Sequence, residues 1–142
     1  MRKALLDTDI LSEVLKGKNP QVVERASAYL GAHNRLTISV VTLMEVVKGL
    51  QKAGREEPLR RFEAGLYRFD VLPFDAEAAS LAGRIYGGLE RAGRPIGRAD
   101  PMIAATAVCH GLVLVTGNEA HYERIVGAGH ALAIENWRRT DA

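Results

Sequence analysis

The sequence predicts an α/β fold: a three-layer α/β/α sandwich with a central, mostly parallel sheet of about five strands. Three observations carry this. Short apolar runs alternate along the chain with longer stretches of helical periodicity, and strands separated by helices pair in parallel through crossovers. Several of the runs are apolar without alternation, as in strands covered on both faces. The length of 142 residues, 47% of them hydrophobic and 25% charged, suits one compact domain over residues 1–142, with neither disorder nor a fibrous repeat.

Ala4–Leu6 reads as the first strand. A helix follows over Ile10–Leu15, and Lys16-Gly17-Lys18-Asn19-Pro20 stops it. Val22–Leu30 carries apolar residues at helical spacing, with Gly31 as its end. Leu36–Val40 is the second strand, leading into a helix from Leu43 to about Lys52. Glu56–Tyr67 is helical and Val71–Pro73 a short strand. A long helix spans Ala76 to Ala92, weakened at Gly87-Gly88. Gly and Pro mark residues 93–97 as a loop. Asp100–His110 is a helix, Leu112–Val115 an apolar strand, Glu119–Val126 a short helix and Ala131–Ile134 the last strand. Met44 and Met102 fall at core positions, and Trp137 is placed to pack the last strand.

Composition narrows the function classes. The formal net charge of +2 does not by itself imply a nucleic-acid partner. The basic residues are nevertheless clustered, at Lys48, Lys52, Arg55, Arg60 and Arg61 and again at Arg84, Arg91, Arg94 and Arg98. Such clusters either track phosphates or solvate a helix face. The single Cys109 has no internal disulfide partner, which fits a reducing cytosol, and its apolar surroundings suit a buried structural thiol. No basic n-region followed by an apolar h-region opens the chain, so secretion is not expected. The most apolar stretch, Met102 to Val115, is broken by His110-Gly111 and too short to cross a bilayer. These features point to the cytoplasm and away from the membrane. His33, His110, His121 and His130 lack zinc-ligand spacing.

The acidic residues are more specific. In a parallel sheet with helical crossovers, strand C-termini and the following helix N-termini share one edge, where ligands bind. Asp7 ends the first strand, Glu45 lies in the first turn after the second, Asp100 begins the helix after the 93–97 loop, and Asn118 follows the strand Leu112–Val115. All four therefore map to one rim. Each has a structural alternative. Asp100-Pro101 fits an N-cap with proline at the first helical position, and Thr42-Leu43-Met44-Glu45 fits a capping box. Asp9 can cap the helix from Ile10, and Asn118 suits a turn or cap. Asp7 is either a cap or a metal ligand. Gathered carboxylates repel one another, and Mg²⁺ or Mn²⁺ would relieve that repulsion while activating water against a phosphodiester.

These residues also carry a resemblance. Leu5-Leu6-Asp7-Thr8-Asp9-Ile10-Leu11-Ser12-Glu13 resembles the opening of PIN-domain ribonucleases, notably VapC-type toxins of bacterial toxin–antitoxin pairs. Ser39-Val40-Val41-Thr42-Leu43-Met44-Glu45-Val46 resembles the second motif of that family, and Ile96 to Ala107 the third, with Asp100 as its acid. Val115-Thr116-Gly117-Asn118 aligns with the fourth, and Glu135-Asn136-Trp137 with an ending of the FitB-like branch. The resemblance spans nearly the whole chain, in order. It implies that Asp7, Glu45 and Asp100 bind Mg²⁺ or Mn²⁺, with Asn118 completing the catalytic set and Thr8, Asp9 and Thr116 orienting the ligands behind them. It further implies cleavage of cellular RNA such as transfer RNA, a homodimer, and a small VapB-like antitoxin that carries the complex onto DNA. Arg94 and Arg98, near Asp100 in sequence, would hold flanking phosphates.

Two departures stand out. The family's first motif usually reads Asp-Thr-Asn, where this chain has Asp9, and some members carry Asp where Asn118 stands. Asp9 or Glu119 then becomes a candidate for the fourth position. Two rival readings remain at this level. A haloacid-dehalogenase-like phosphohydrolase also opens with Asp-x-Asp after a strand, its first Asp a nucleophile, but the Gly-Thr and late acidic pair it needs are not evident. A catalytically weak interaction domain on the same fold has Asn118 as its only support.

Overall fold

The computed structural model describes residues 1–139. Five strands form one sheet in the order β3-β2-β1-β4-β5, every pair parallel. The strands are β1 (Ala4–Leu6), β2 (Leu36–Ser39), β3 (Phe69–Leu72), β4 (Val113–Val115) and β5 (Ile134–Glu135). The helices are α1 (Thr8–Lys16), α2 (Pro20–His33), α3 (Val40–Lys52), α4 (Glu56–Ala64), α5 (Ala76–Arg91), α6 (Ala99–Cys109) and α7 (Glu119–Gly127), with a 3-10 turn at Leu66–Arg68. The three-layer sandwich is as expected, and the sheet is parallel throughout.

Strand alternation divides the core in two. Ala4 and Leu6 of β1, Leu36 and Ile38 of β2, and Val113 and Val115 of β4 face a cluster with Ile10, Leu11, Val22, Tyr29, Val46 and Phe62 from α1–α4. Leu5 and Leu114 point the other way, toward Ile85, Leu89, Ile103, Ala104 and Ile125 of α5–α7. Trp137 joins the first cluster, fully buried with its ring 5.9 Å from that of Tyr29. Met102 packs against the second, as expected. Met44 does not: it is 53% exposed, because α3 turns Val41, Val46 and Leu43 inward instead.

Several boundaries move, for local reasons. Helix α2 begins at Pro20 behind the Asn19 cap, runs through Gly31 and ends at His33, capped by Asn34, whose φ is 68°. Helix α5 passes through Gly87-Gly88 unbroken, held by Ile85 and Leu89 in the core. The expected helix at 56–67 ends as α at Ala64 and continues only as the 3-10 turn. Strand β3 starts earlier than expected, paired with β2 from Leu36↔Phe69 to Ser39↔Leu72, and β5 lies later, at Ile134–Glu135. Cys109 is only half-buried. Among the described residues no helix is long and apolar enough to cross a membrane.

Candidate active site

Asp7 stands at the junction of β1 and α1, where its own N–H continues the ladder to the Val115 carbonyl at 2.9 Å. Its side chain is 6% exposed, and both oxygens are engaged. Oδ1 accepts the Thr8 N–H at 2.8 Å, which makes Asp7 the N-cap of α1. Oδ2 accepts the Thr116 hydroxyl at 2.8 Å, and that hydroxyl in turn accepts the Asn118 N–H at 2.9 Å. Burial, with the charge of Asp9 next and a smaller push from Asp100, raises the Asp7 carboxyl to about 7, against the hydrogen bonds from Thr116 and Thr8.

Since α1 begins at Thr8, Asp9 lies inside the helix and is not its cap. Its Oδ1 accepts the Ile10 N–H at 2.7 Å, while Oδ2 accepts the Gly117 N–H at 3.0 Å across the β1–β4 edge. Arg138 reaches the same oxygen at 3.5 Å and binds Glu13 at 3.0 Å through Nε. Burial pushes the Asp9 carboxyl up, opposed by Gly117 and Arg138. Glycine at 117 leaves room for the Arg138 guanidinium, which a Cβ there would displace, and such a Cβ would lie 2.8 Å from the Asp9 carboxylate.

Glu45 reaches the rim from α3, and the expected capping box does not form. Ser39 is the N-cap, its Oγ accepting the Thr42 N–H at 3.0 Å, so α3 starts earlier and Glu45 falls in its second turn. Its Oε1 accepts the Thr8 hydroxyl at 2.5 Å, and Thr42 Oγ1 lies 3.1 Å from that hydroxyl. Thr8 thus hydrogen-bonds Glu45, and Thr116 hydrogen-bonds Asp7.

Asp100 is the second residue of α6, not its cap; Arg98 holds that position without a side-chain bond. Two residues that sequence reasoning left in the short helix near the rim, without a role, bind its carboxylate. The Tyr122 hydroxyl donates to Oδ1 at 3.2 Å, and His121 Nδ1 lies 2.9 Å from Oδ2. Burial and the charges of Asp7 and Asp100 drive the Tyr122 phenol far above its ordinary range, so it stays a neutral donor. Asn118 does not cap α7 with its side chain; Nδ2 turns to His121 Nδ1 at 2.9 Å. A protonated Nδ1 donates to Asp100, and a bare one accepts from Asn118. The sequence held a signal for this: Asn118 and His121 stand three positions apart at the start of a helix, which puts them on one face. Glu119 is taken up elsewhere, by Asn136 at 3.0 Å and Arg139 at 2.7 Å. Arg94 and Arg98 are exposed, before and at the start of α6.

The structure thus brings Asp7, Asp9 and Asp100 into one electrostatic neighbourhood, with Glu45 joined to it through Thr8. Among the described residues no group of three or more His, Cys, Asp or Glu side chains is placed to hold a metal ion. The donor set is nonetheless oxygen-only, and it includes a desolvated carboxylate under the repulsion of two others. That chemistry fits a hard divalent ion.

Comparison with known proteins identifies the class. A PIN domain model matches residues 4–126, and the chain belongs to the PIN domain family. This fold and membership leave no ground for the haloacid-dehalogenase-like reading. Within the family the chain is similar to the tRNA(fMet)-specific endonuclease VapC of Shigella flexneri, 41% identical over 138 residues, covering 96% of this chain and 99% of that protein. Its fold is similar to VapC-containing structures: the DNA-bound VapBC from Salmonella typhimurium has a TM-score of 0.80 at 38% identity, covering 96% of this chain and 99% of that one. FitAcB from Neisseria gonorrhoeae has a TM-score of 0.75 at 28% identity, covering 94% and 97%.

Proposed function

We propose that this chain is a metal-dependent endoribonuclease, the toxin of a VapBC-type pair, cleaving cellular RNA in the cytoplasm to arrest translation. Transfer RNA is the favoured substrate, because the similar Shigella flexneri protein is named for tRNA(fMet). The VapBC and FitAcB complexes support a small antitoxin partner, and the DNA-bound VapBC a larger assembly on DNA. A homodimer follows from the family resemblance. The observation that carries the catalytic reading is Asp7, a carboxylate buried at a strand end and raised to about 7 beside Asp9 and Asp100.

In this reading Asp7, Glu45 and Asp100 hold Mg²⁺ or Mn²⁺. When bound, the ion supplies neutralisation of charge developing on the phosphate and a lowered pKa for water. The chain's own residues do the positioning. Thr8 fixes Glu45, Thr116 fixes Asp7, and Tyr122 with His121 fixes Asp100. Asn118 orders the β4–α7 turn through its N–H bond to Thr116 and contacts His121. Arg94 and Arg98 steady phosphates beside the cleaved one.

The test is RNA cleavage with Mg²⁺ or Mn²⁺, with EDTA, and with Asp7→Asn and Asp100→Asn. Activity should require metal and vanish in both variants, while Asn118→Ala should retain part of it. Metal-independent cleavage, or full activity after Asp7→Asn, would overturn the mechanism.

A further inference from the structure

A groove of about 690 Å³ runs between α1, α3 and α4. Thr8 and Glu45 line it, so it opens directly onto the carboxylate rim. Leu15, Val46, Leu50 and Phe62 give it apolar walls, while Lys16, Lys18, Arg55 and Arg61 also border it. Lys16, Lys18 and Arg55 are exposed, and among the described residues none of the three is ion-paired. Arg61 leans toward Glu57 at 3.9 Å. Among the described residues Glu45 is the only acid lining the groove.

Gly49 adds a separate observation. It lies within α3 and lines the groove, where a Cβ would meet no atom within 4 Å. Glycine inside a helix costs roughly 1 kcal/mol relative to alanine, and packing against a neighbour does not demand it here. Its effect is to leave the groove open one turn beyond Glu45.

We propose that this groove receives the RNA strand on one side of the scissile phosphate. Lys16, Lys18 and Arg55 hold backbone phosphates, and the apolar wall of Leu15, Val46 and Leu50 takes a base. The assignment rests on the nuclease reading of the rim. A polynucleotide alternates anionic phosphates with flat, largely apolar bases, and this groove alternates cations with apolar surface in the same way. An acidic peptide would match the cations equally, but it carries no flat bases for the apolar wall of Leu15, Val46 and Leu50.

Binding can be measured without turnover, by fluorescence anisotropy in EDTA with a labelled single-stranded RNA of about 20 nucleotides. Lys16→Glu with Arg55→Glu should weaken binding about tenfold or more and lower the slope of log affinity against log salt by about 1 to 2. Gly49→Leu, which favours the helix and changes no charge, should weaken binding at least about threefold with the salt slope unchanged. Arg84→Glu with Arg91→Glu, on α5 across the sheet, is the control for net charge and should change affinity much less. Groove variants that bind RNA like the unmodified chain, or a control pair that loses as much, would overturn the assignment. If the unmodified chain binds RNA through the groove yet cuts none with Mn²⁺, the groove assignment is supported and the catalytic reading fails.

Discussion

Replacing Asp7 by Asn should change how the metal-free protein responds to pH. The Asp7 carboxyl is raised from 3.8 to about 7 in the fold, so the folded state binds its proton more tightly than the unfolded chain does. The unfolded chain ionises first, and stability therefore falls as pH rises from about 4 to about 7, then levels off. At about 1.4 kcal/mol per pKa unit, ionisation costs about 2 kcal/mol at about pH 5 and about 4 kcal/mol at about pH 8. The difference attributable to this one side chain is about 2 to 3 kcal/mol. Asn keeps an oxygen for the Thr8 amide and cannot ionise, so the Asn variant should lack that slope. Urea denaturation in EDTA at the two pH values measures it, with every other titrating group common to both proteins. In thermal melts, the variant's gain over the parent should grow by roughly 5 to 10 °C between them. Parallel pH profiles for the two proteins would refute the argument, since they would mean that Asp7 is not held protonated by its surroundings. Saturating Mn²⁺ should reverse the order at about pH 8 if Asp7 is a ligand, because binding then stabilises only the parent.

Two other substitutions probe the surroundings of the carboxylates. Gly117→Ala forces the Arg138 guanidinium away from Asp9; the pair is partly exposed, so a loss of about 1 kcal/mol in chemical denaturation is expected, and Arg138→Ala should reduce the cost of the alanine at 117 without abolishing it, since the Asp9 carboxylate still lies 2.8 Å from the added carbon. His121→Ala leaves one Asp100 oxygen without its neighbour and should weaken Mn²⁺ binding about tenfold by calorimetry. Unchanged Mn²⁺ affinity would show that Tyr122 alone holds Asp100.

Much of this was legible in the chain, because strand ends and helix starts are local features. The apolar run before Asp7 located β1, and the order of motifs put Glu45, Asp100 and Asn118 on the same edge. What misled was also local. Thr42 and Glu45 have capping-box spacing, but Ser39 stands three residues earlier and caps first, which converts Thr42 into an interior helix residue beside Thr8. Asp9 reads as a cap only until Asp7 is seen to hold that position. The partners of Asp100 were hidden because His121 and Tyr122 lie on α7, brought to α6 by tertiary packing that spacing does not encode. Arg138 escaped notice for the same reason: its partners, Asp9 and Glu13, are more than a hundred residues away.

The position of β1 between β2 and β4 has a kinetic consequence. Asp7 is fixed by Thr116, and Asp9 by Gly117, contacts that close loops of 109 and 108 residues. Pairings of such separation bear a large closure entropy and tend to form late. A folding chain can therefore have its helices and the β2–β3 edge in place while the carboxylate rim is still apart. The competence of the site is then a property of the finished fold, acquired in the same step that seats β4 against β1.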